Sequence, residues 1–288
     1  MSGLVKAADR RLARHLTPGA RRRLAAVAGG RVLGWYRRRR SDAVLVSFPK
    51  CGRTWLRAML GRAFQLHFGL PDGVDLTELA HLAELDPRVP LVLVTHDDDA
   101  QFKAPGEVEV DKSRYRRRRV VLLVRDPRDV IVSLYHQMHG RRGRYDGTLA
   151  EFVDGPVGGF ASLLAFYDAW AAARGVPADL LVVRYEDLHA LPEDELARML
   201  SFLGVTGVAP ATVTAAVEHG SFANMRRLEE SGAAASDRLR PGRPGDVDTY
   251  KTRRGTVGGF RDELEPEQIA RLNGLMAASS ARVFGYAS

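Results

Sequence analysis

The sequence predicts an α/β fold in which a single domain forms around a central parallel sheet flanked by helices. Short runs rich in β-branched residues alternate with longer segments of helical periodicity, and this alternation is typical of parallel strands joined by helical crossovers. The chain of 288 residues is long enough for one large domain, or at most two, with a core that needs no disulfide bonds or metal to stabilise it. The predicted strands are residues 43–48, 91–95, 119–124 and 180–184.

Helical patterns occupy most of the segments between and after these strands. Asp126 before Pro127 is a typical N-cap, and Thr148 with Glu151 forms a capping box before a further short helix. Residues 230–249 have little periodicity and many Gly, Pro, Ser and Asp residues, so we expect a long mobile loop at about 230–250. The predicted longer helices are 54–66, 127–138, 159–174, 192–203, 210–219 and 265–280.

The positive charge of the chain is concentrated at its N-terminus. Residues 1–40 contain twelve Lys or Arg and one acid, a balance of +11, so the other 248 residues sum to −3 against a total of +8. We therefore predict a basic, partly helical arm at 1–40 and a domain at 41–288. Such an arm suits peripheral contact with an anionic membrane or binding to nucleic acid, but a solvated extension fits the same residues.

A single cysteine, Cys51, excludes an intrachain disulfide and a cysteine-rich zinc site. No apolar stretch reaches the roughly 18 residues of a membrane-spanning helix, and no secretion signal is visible. We expect a cytoplasmic protein, with peripheral contact at the inner membrane face left open by the basic arm. We expect no metal site and no nucleic-acid partner, and the sequence does not predict the oligomeric state.

Residues 44–57, VLVSFPKCGRTWLR, run from a predicted buried strand through a tight loop into a helix. The first N–H groups of a helix lack intrahelical partners, and the helix dipole adds partial positive charge there, so this loop is an expected anion site. Lys50 adds a full charge, Thr54 adds a hydroxyl donor, and Gly52 allows close approach of the backbone to a ligand. The G-x-x-x-x-G-K-[ST] signature of nucleotide triphosphatases is absent.

The segment PKCGRTW resembles the 5′-phosphosulfate loop of sulfotransferases that use 3′-phosphoadenosine 5′-phosphosulfate (PAPS), usually P-K-[ST]-G-[TS]-[TS]-W. The resemblance implies a P-loop nucleotide-kinase-like sulfotransferase fold and PAPS as co-substrate. Cys51, where Ser is usual, and Arg53, where a small residue is usual, depart from the pattern. The loop residues expected to bind the donor are Lys50, Cys51, Gly52, Arg53, Thr54 and Trp55.

Further blocks resemble the same family in the same order. They are RRVVLLVRDPRDVIVSLYHQ at 118–137, VVRYEDL at 182–188, SFANM at 221–225 and RRGTVGGF at 253–260, where Phe260 replaces the usual Trp. The resemblance implies adenine contacts from Tyr185 and Phe222, with Trp55 as a second flat face. It implies binding of the 3′-phosphate by Arg125, Ser133, Arg253, Arg254 and Gly255.

The family's catalytic histidine lies in a K-T-H sequence after the second strand, and VTH here places His96 at that position. A histidine suits the role of general base because its ordinary pKa lies near working pH. Val94 replaces the family's lysine, so the contribution of that lysine is missing or is supplied from elsewhere. Three acids follow at 97–99; one of them could orient the imidazole or bind a cationic acceptor, or all three could form a solvated turn.

The implied reaction is in-line transfer of a sulfuryl group from PAPS to a hydroxyl of a small-molecule, glycan or lipid acceptor, with His96 as base and Lys50 stabilising the leaving group. The acceptor pocket is expected in the segments 67–90, 97–115, 139–160 and 230–250. Three alternative functions are compatible with parts of the sequence. Cys51 and Arg57 have the C-x5-R spacing of cysteine phosphatases, the loop is compatible with a P-loop small-molecule kinase, and the basic arm is compatible with a nucleic-acid-binding module.

Overall fold

A computed structural model of the chain describes residues 41–286, except 233–235, 237, 238, 240, 241 and 244. Four strands form one sheet in which every pair is parallel, in the order β2-β1-β3-β4. This confirms the α/β fold predicted from the sequence. The basic arm predicted at 1–40 lies outside the described residues. The strands are β1 Ala43–Ser47, β2 Val92–Thr95, β3 Arg119–Val124 and β4 Asp179–Arg184.

Helices cover the sheet, and all of the longer predicted helices are present within a few residues of their predicted bounds. Asp126 caps α3 by accepting a hydrogen bond from the Arg128 N–H at 2.9 Å, and Thr148 and Glu151 form the predicted capping box. The helix predicted through Met138 instead ends at His136 and continues as one π-helical turn, Gln137–Arg141. The helices are α1 Arg53–Phe68, α2 Leu79–Leu85, α3 Pro127–His136, α4 Leu149–Val153, α5 Phe160–Ala172, α6 Tyr185–Ala190, α7 Pro192–Phe202, α8 Pro210–Gly220, α9 Phe222–Ser231 and α10 Pro266–Ala278.

The order of the strands determines where a ligand can bind. Leu45 in β1 is paired with Val94 in β2 on one side and with Val121 in β3 on the other. The chain therefore passes from β1 to one neighbour and then crosses to the other, which makes the gap between β1 and β3 a topological switch point. In open parallel sheets, ligands bind in the crevice outside the carboxyl ends of the strands at such a point.

The segment expected to be a mobile loop at about 230–250 is only partly described. Its described part includes buried residues: Ser236 hydrogen-bonds the Thr77 hydroxyl at 2.8 Å, Leu239 packs near Met225, and Tyr250 is also buried. The mobility of the loop stays a prediction. Within the described residues, no helix is both long and apolar enough to cross a membrane.

Candidate active site

A cavity of about 480 Å³ lies at the carboxyl ends of β1, β2 and β3. Thirteen of the fourteen site residues predicted from the sequence line it; the exception is Cys51, which is buried in the core. Among the described lining residues there are eight Lys or Arg and one acid, Asp129. The cavity is therefore suited to an anion. Its cations are Lys50, Arg53, Arg125, Arg141, Arg142, Lys251, Arg253 and Arg254.

The loop after β1 turns tightly before α1. Lys50 has φ 72° and Gly52 has φ 90°, both in the left-handed region, and α1 begins directly afterwards at Arg53. A Cβ at Gly52 would lie 2.6 Å from the Tyr185 ring. The sequence analysis explained Gly52 by close approach of the backbone to a ligand. The structure shows that the backbone angle at this position and the neighbouring Tyr185 ring already require a glycine.

Lys50 is an unusual lysine because it lies partly buried among other cations. Burial, and then the charges of Arg141 and Arg125, lower the pKa of its ammonium to about 7. No carboxylate among the described residues lies within ion-pair distance of it. A bound anion would supply the missing counter-charge. Lys251 reaches the same loop, where its Nζ donates to the Thr54 hydroxyl at 3.1 Å.

Arg125 lies at the end of β3, and its main chain is fixed by Tyr167. The Tyr167 hydroxyl accepts from the Arg125 N–H at 3.0 Å and donates to the Arg125 carbonyl at 2.5 Å. The guanidinium lies over the Tyr185 ring, 4.2 Å from its centroid, and donates to the Thr256 carbonyl at 3.0 Å. Its Nε is buried and has no hydrogen-bond partner among the described residues, so one donor is left for a ligand.

The RRGTVGGF segment is held against α3 by Asp129, a residue that the sequence analysis quoted but did not assign. Asp129 accepts from the N–H groups of Gly258 at 2.8 Å and Phe260 at 3.0 Å. Each arginine of the pair in this segment has an acidic partner: Arg253 with Glu263 at 2.7 Å and Arg254 with Asp262 at 3.1 Å.

Glu263 is also hydrogen-bonded to His136. Burial acts to raise the pKa of Glu263, but the hydrogen bonds from His136 and Arg253 outweigh it and lower the pKa to about 2. Glu263 is therefore a carboxylate at neutral pH and keeps the Arg253 guanidinium in place.

The aromatic residues expected to contact adenine also line the cavity. Trp55 meets Tyr185 edge-on, with centroids 5.4 Å apart, while Phe222 is 45% exposed. A Cβ at Gly255, where φ is 68°, would lie 2.5 Å from the Phe222 ring. The glycine thus allows the main chain to pack on the aromatic ring.

Glu229 is a second residue that the sequence analysis missed. It is fully buried and accepts from the N–H groups of Lys251 at 2.8 Å and Thr252 at 3.0 Å, and it pairs with Arg141 at 3.3 Å. It therefore fixes the segment that presents Lys251 to the cavity. No local pattern marks this glutamate as buried, because α9 is polar around it.

His96 follows β2 and borders the cavity. Its Nδ1 lies 2.9 Å from the Ser47 carbonyl and its Nε2 lies 2.6 Å from Nη2 of Arg53. A guanidinium can only donate, so Nε2 is the acceptor and Nδ1 holds the proton that it donates to Ser47. Burial, and then the Arg53 charge, lower the pKa of His96 to about 4, which leaves the ring neutral at ordinary pH.

Asp97, the first of the three acidic residues after His96, does not have the role that the sequence predicted for this segment. The Asp97 side chain is fully buried, forms an ion pair with Lys112 at 2.7 Å and accepts from the Trp170 indole at 3.2 Å. It is therefore part of the core, neither a solvated turn nor the partner of the imidazole. The Ser47 carbonyl orients the ring instead.

The geometry contradicts the cysteine phosphatase alternative. Burial raises the pKa of the Cys51 thiol to about 12, so no thiolate nucleophile is present at neutral pH. Arg57 lies on α1 and pairs with Glu78 at 3.2 Å, away from the cavity. The C-x5-R spacing is therefore a coincidence of the loop and the helix.

A parallel sheet, a cationic loop between its first strand and a helix, and a neutral histidine at the next strand define a group-transfer enzyme that binds an anionic nucleotide. The family model described as "Sulfotransferase domain" matches residues 40–283, and the chain belongs to this family. The protein is thus a sulfotransferase, as the resemblance implied.

Relatives and solved structures agree. The chain is 26% identical to cytosolic sulfotransferase 17 of Arabidopsis thaliana, over 84% of this chain and 75% of that protein. It is 26% identical to sulfotransferase 1A1 of Rattus norvegicus, over 64% of this chain and 67% of that protein. The structure of a mouse sulfotransferase, SULT7A1, was solved with PAP (3′-phosphoadenosine 5′-phosphate). It has a TM-score of 0.57 at 21% identity, and the match covers 83% of this chain and 84% of that chain. Retinol dehydratase, solved with androsterone and PAP, has a TM-score of 0.53 at 18% identity and covers 82% of this chain and 80% of its own.

Proposed function

We propose that the protein transfers the sulfuryl group of PAPS to a hydroxyl group, with His96 as the general base. The observation that supports this most directly is the single cavity that holds both a cationic loop and a histidine whose Nε2 can accept a proton. Its volume of about 480 Å³ is within the range of about 300–1,000 Å³ that is usual for small-molecule sites.

The residues present suit an adenosine that bears phosphates at both ends. Lys50, Thr54 and the first N–H groups of α1 would hold the 5′-phosphosulfate. Arg125, through its buried and unbonded Nε, and Ser133 would hold the 3′-phosphate, together with the residues around Arg254. The exposed ring of Phe222 and the indole of Trp55 would contact the adenine. PAPS, when bound, supplies a sulfuryl group on a good leaving group.

The chain's own part in the reaction is to position, to accept a proton and to stabilise charge. His96 Nε2 takes the proton of the acceptor hydroxyl as its oxygen forms a bond to sulfur and the bond from sulfur to the bridging oxygen breaks. Lys50 and the loop N–H groups stabilise the negative charge left on the 5′-phosphate. The Ser47 carbonyl stabilises the imidazolium, because it accepts the hydrogen bond of Nδ1. The products are the sulfate ester and 3′-phosphoadenosine 5′-phosphate (PAP).

We infer that the acceptor is a hydroxyl compound, of which a small molecule, a glycan and a lipid remain candidates. Two structures of retinol dehydratase, in the same fold, hold the alcohols androsterone and retinol. A cytoplasmic location is in keeping with the name of the Arabidopsis relative, and contact of the basic arm with a membrane stays a prediction.

The test of His96 compares His96→Ala with a matched control, His81→Ala, whose ring is half exposed and pairs with Glu84 at 3.5 Å. Acceptors are first identified by screening with radiolabelled PAPS. We expect His96→Ala to lower turnover by about 10²–10⁴-fold while PAP still binds in calorimetry, and His81→Ala to change neither. Normal turnover in His96→Ala removes His96 from the mechanism, and absence of PAP binding to the wild-type protein overturns the proposed function.

A further inference from the structure

The contact between Arg53 and His96 has a consequence for the order in which ligands bind. Arg53 is the first residue of α1, and its Nη2 lies 2.6 Å from the Nε2 atom that would act as the base. The two residues are 43 positions apart, so the contact is made by the fold and not by local sequence. In this arrangement the lone pair of Nε2 is already engaged.

We propose that Arg53 is a positioning residue that occupies the base atom of His96 until the donor binds, and that the donor's sulfonate draws the guanidinium away and frees Nε2 for the acceptor. This inference rests on the proposed function. It implies that the donor binds before the acceptor can be deprotonated.

The preference of Arg53 for an anion follows from elementary electrostatics. In its contact with His96 the acceptor is a neutral imidazole, which takes one hydrogen bond from one guanidinium nitrogen. Two oxygens of a sulfonate or phosphate can accept two parallel hydrogen bonds from the guanidinium, and they carry negative charge. Such charge-assisted hydrogen bonds are roughly twice as strong as neutral ones. An anion on the loop therefore competes well for Arg53.

The surroundings direct such an anion to this place. The N-terminus of α1 and Lys50 are on the same loop as Arg53, and Lys251 reaches that loop through its hydrogen bond to Thr54. The charged groups that act on His96 are Arg53 from α1, Lys251 from the segment after α9, and Asp99 from the turn after β2. Of the two cations, Arg53 has the larger effect, so its removal from Nε2 changes the basicity of the ring more than any movement of Lys251.

The same geometry explains how a histidine with a pKa lowered to about 4 can act as a base. While Arg53 lies on Nε2, its charge disfavours protonation. Once the guanidinium moves from Nε2 to the sulfonate, the part of the lowering that Arg53 causes is relieved and the pKa of His96 rises, while the larger part, which burial causes, remains. The base thus gains proton affinity only when there is a sulfuryl group to transfer.

The experiment is an NMR titration of ¹³C,¹⁵N-histidine-labelled protein, with His96→Ala used to assign the ring signals. The samples are wild type, Arg53→Ser and the control Arg62→Ser, which removes an arginine from the same helix at a site that does not line the cavity. Each is titrated alone and with PAPS in the absence of an acceptor. Arg53→Gln, which keeps a long side chain without the charge, provides the same measurement should Arg53→Ser fail to fold.

We expect Arg53→Ser to raise the pKa of His96 in the ligand-free protein by roughly 1 unit, since burial causes the larger part of the lowering, PAPS to raise it in the wild type by a similar amount, and Arg62→Ser to behave as wild type. Two results overturn the proposal: an unchanged His96 pKa in both Arg53 variants, or an unchanged His96 pKa in wild-type protein that calorimetry shows to be saturated with PAPS. Failure of PAPS to bind at all is a different outcome, because it refutes the proposed function and with it this inference.

Discussion

Lys50 provides the sharpest quantitative prediction, because it is a partly buried cation without a carboxylate partner among the described residues. Replacing it with Met removes the charge and keeps an unbranched side chain of similar length. Both residues have the same left-handed backbone strain at φ 72°, so that contribution cancels in the comparison. We expect Lys50→Met to stabilise the ligand-free protein and to weaken PAP binding.

The magnitude follows from the pKa of Lys50, which is lowered from 10.5 to about 7, mainly by burial and then by Arg141 and Arg125. A shift of about 3.5 units corresponds to about 5 kcal/mol as an upper bound, and water penetration reduces this to an expected gain of about 2–4 kcal/mol for Lys50→Met. Because the folded-state pKa lies below the unfolded one, the unfolded state binds more protons between pH 7 and 10.5. The destabilisation by Lys50 is therefore full below pH 7 and disappears as the pH rises to about 10.5.

The assay is urea unfolding of both proteins at pH 6 and at pH 10, with PAP affinity measured by calorimetry at pH 7. The control is Lys112→Met, since Lys112 is also buried but forms an ion pair with Asp97 at 2.7 Å. Breaking that pair leaves a buried carboxylate without one of its partners, so Lys112→Met should lose about 3–5 kcal/mol. For Lys50→Met we expect a gain at pH 6 that shrinks at pH 10, and a loss of PAP affinity of roughly 30-fold or more. Equal stability of Lys50→Met and wild type at pH 6, or a gain that does not depend on pH, would refute this account of the loop.

Two further substitutions test the loop itself. Cys51→Ser should keep sulfuryl transfer near the wild-type rate in a radiolabelled PAPS assay, because the thiol is buried and protonated; loss of transfer without loss of folding would restore Cys51 as a reactive group. Gly52→Ala should lower stability by about 1–3 kcal/mol in thermal unfolding, because its Cβ would lie 2.6 Å from Tyr185 at a φ of 90°, and an unchanged melting temperature would contradict this.

The fold was predictable where its physical causes are local in the sequence. β1 and β3 are almost continuous runs of Val and Leu, as expected of strands that helices cover on both faces. Three helices were not predicted because their sequences carry no clear local signal. α2 and α6 have seven and six residues, too few to show a period, and α9 buries only Met225 and Glu229, so it has no apolar face to recognise.

The residues of the site divide in the same way, into those that local motifs predict and those that only the tertiary structure brings together. The motifs around Lys50, Arg125 and Tyr185 reached the cavity because each follows the end of a strand, and the parallel sheet brings those ends together, whereas RRGTVGGF is held there by Asp129. Lys251, Arg141 and the buried Glu229 belong to segments without a motif, and only the tertiary structure brings them to the loop. The contact between Arg53 and His96 was equally hidden, although both residues had been singled out separately.

Two of the four departures from the family pattern are linked in the structure. Val94 replaces a lysine of the family two residues before His96, and Arg53 adds a cation where the family has a small residue; the fold places that cation on His96. After burial, which is the largest cause for both groups, arginine charges contribute to lowering the pKa of His96 and that of Lys50. An anionic donor would balance these charges and raise both pKa values together. In the proposed mechanism, arrival of the donor would therefore favour both the charged form of Lys50, which stabilises the leaving group, and proton transfer to His96.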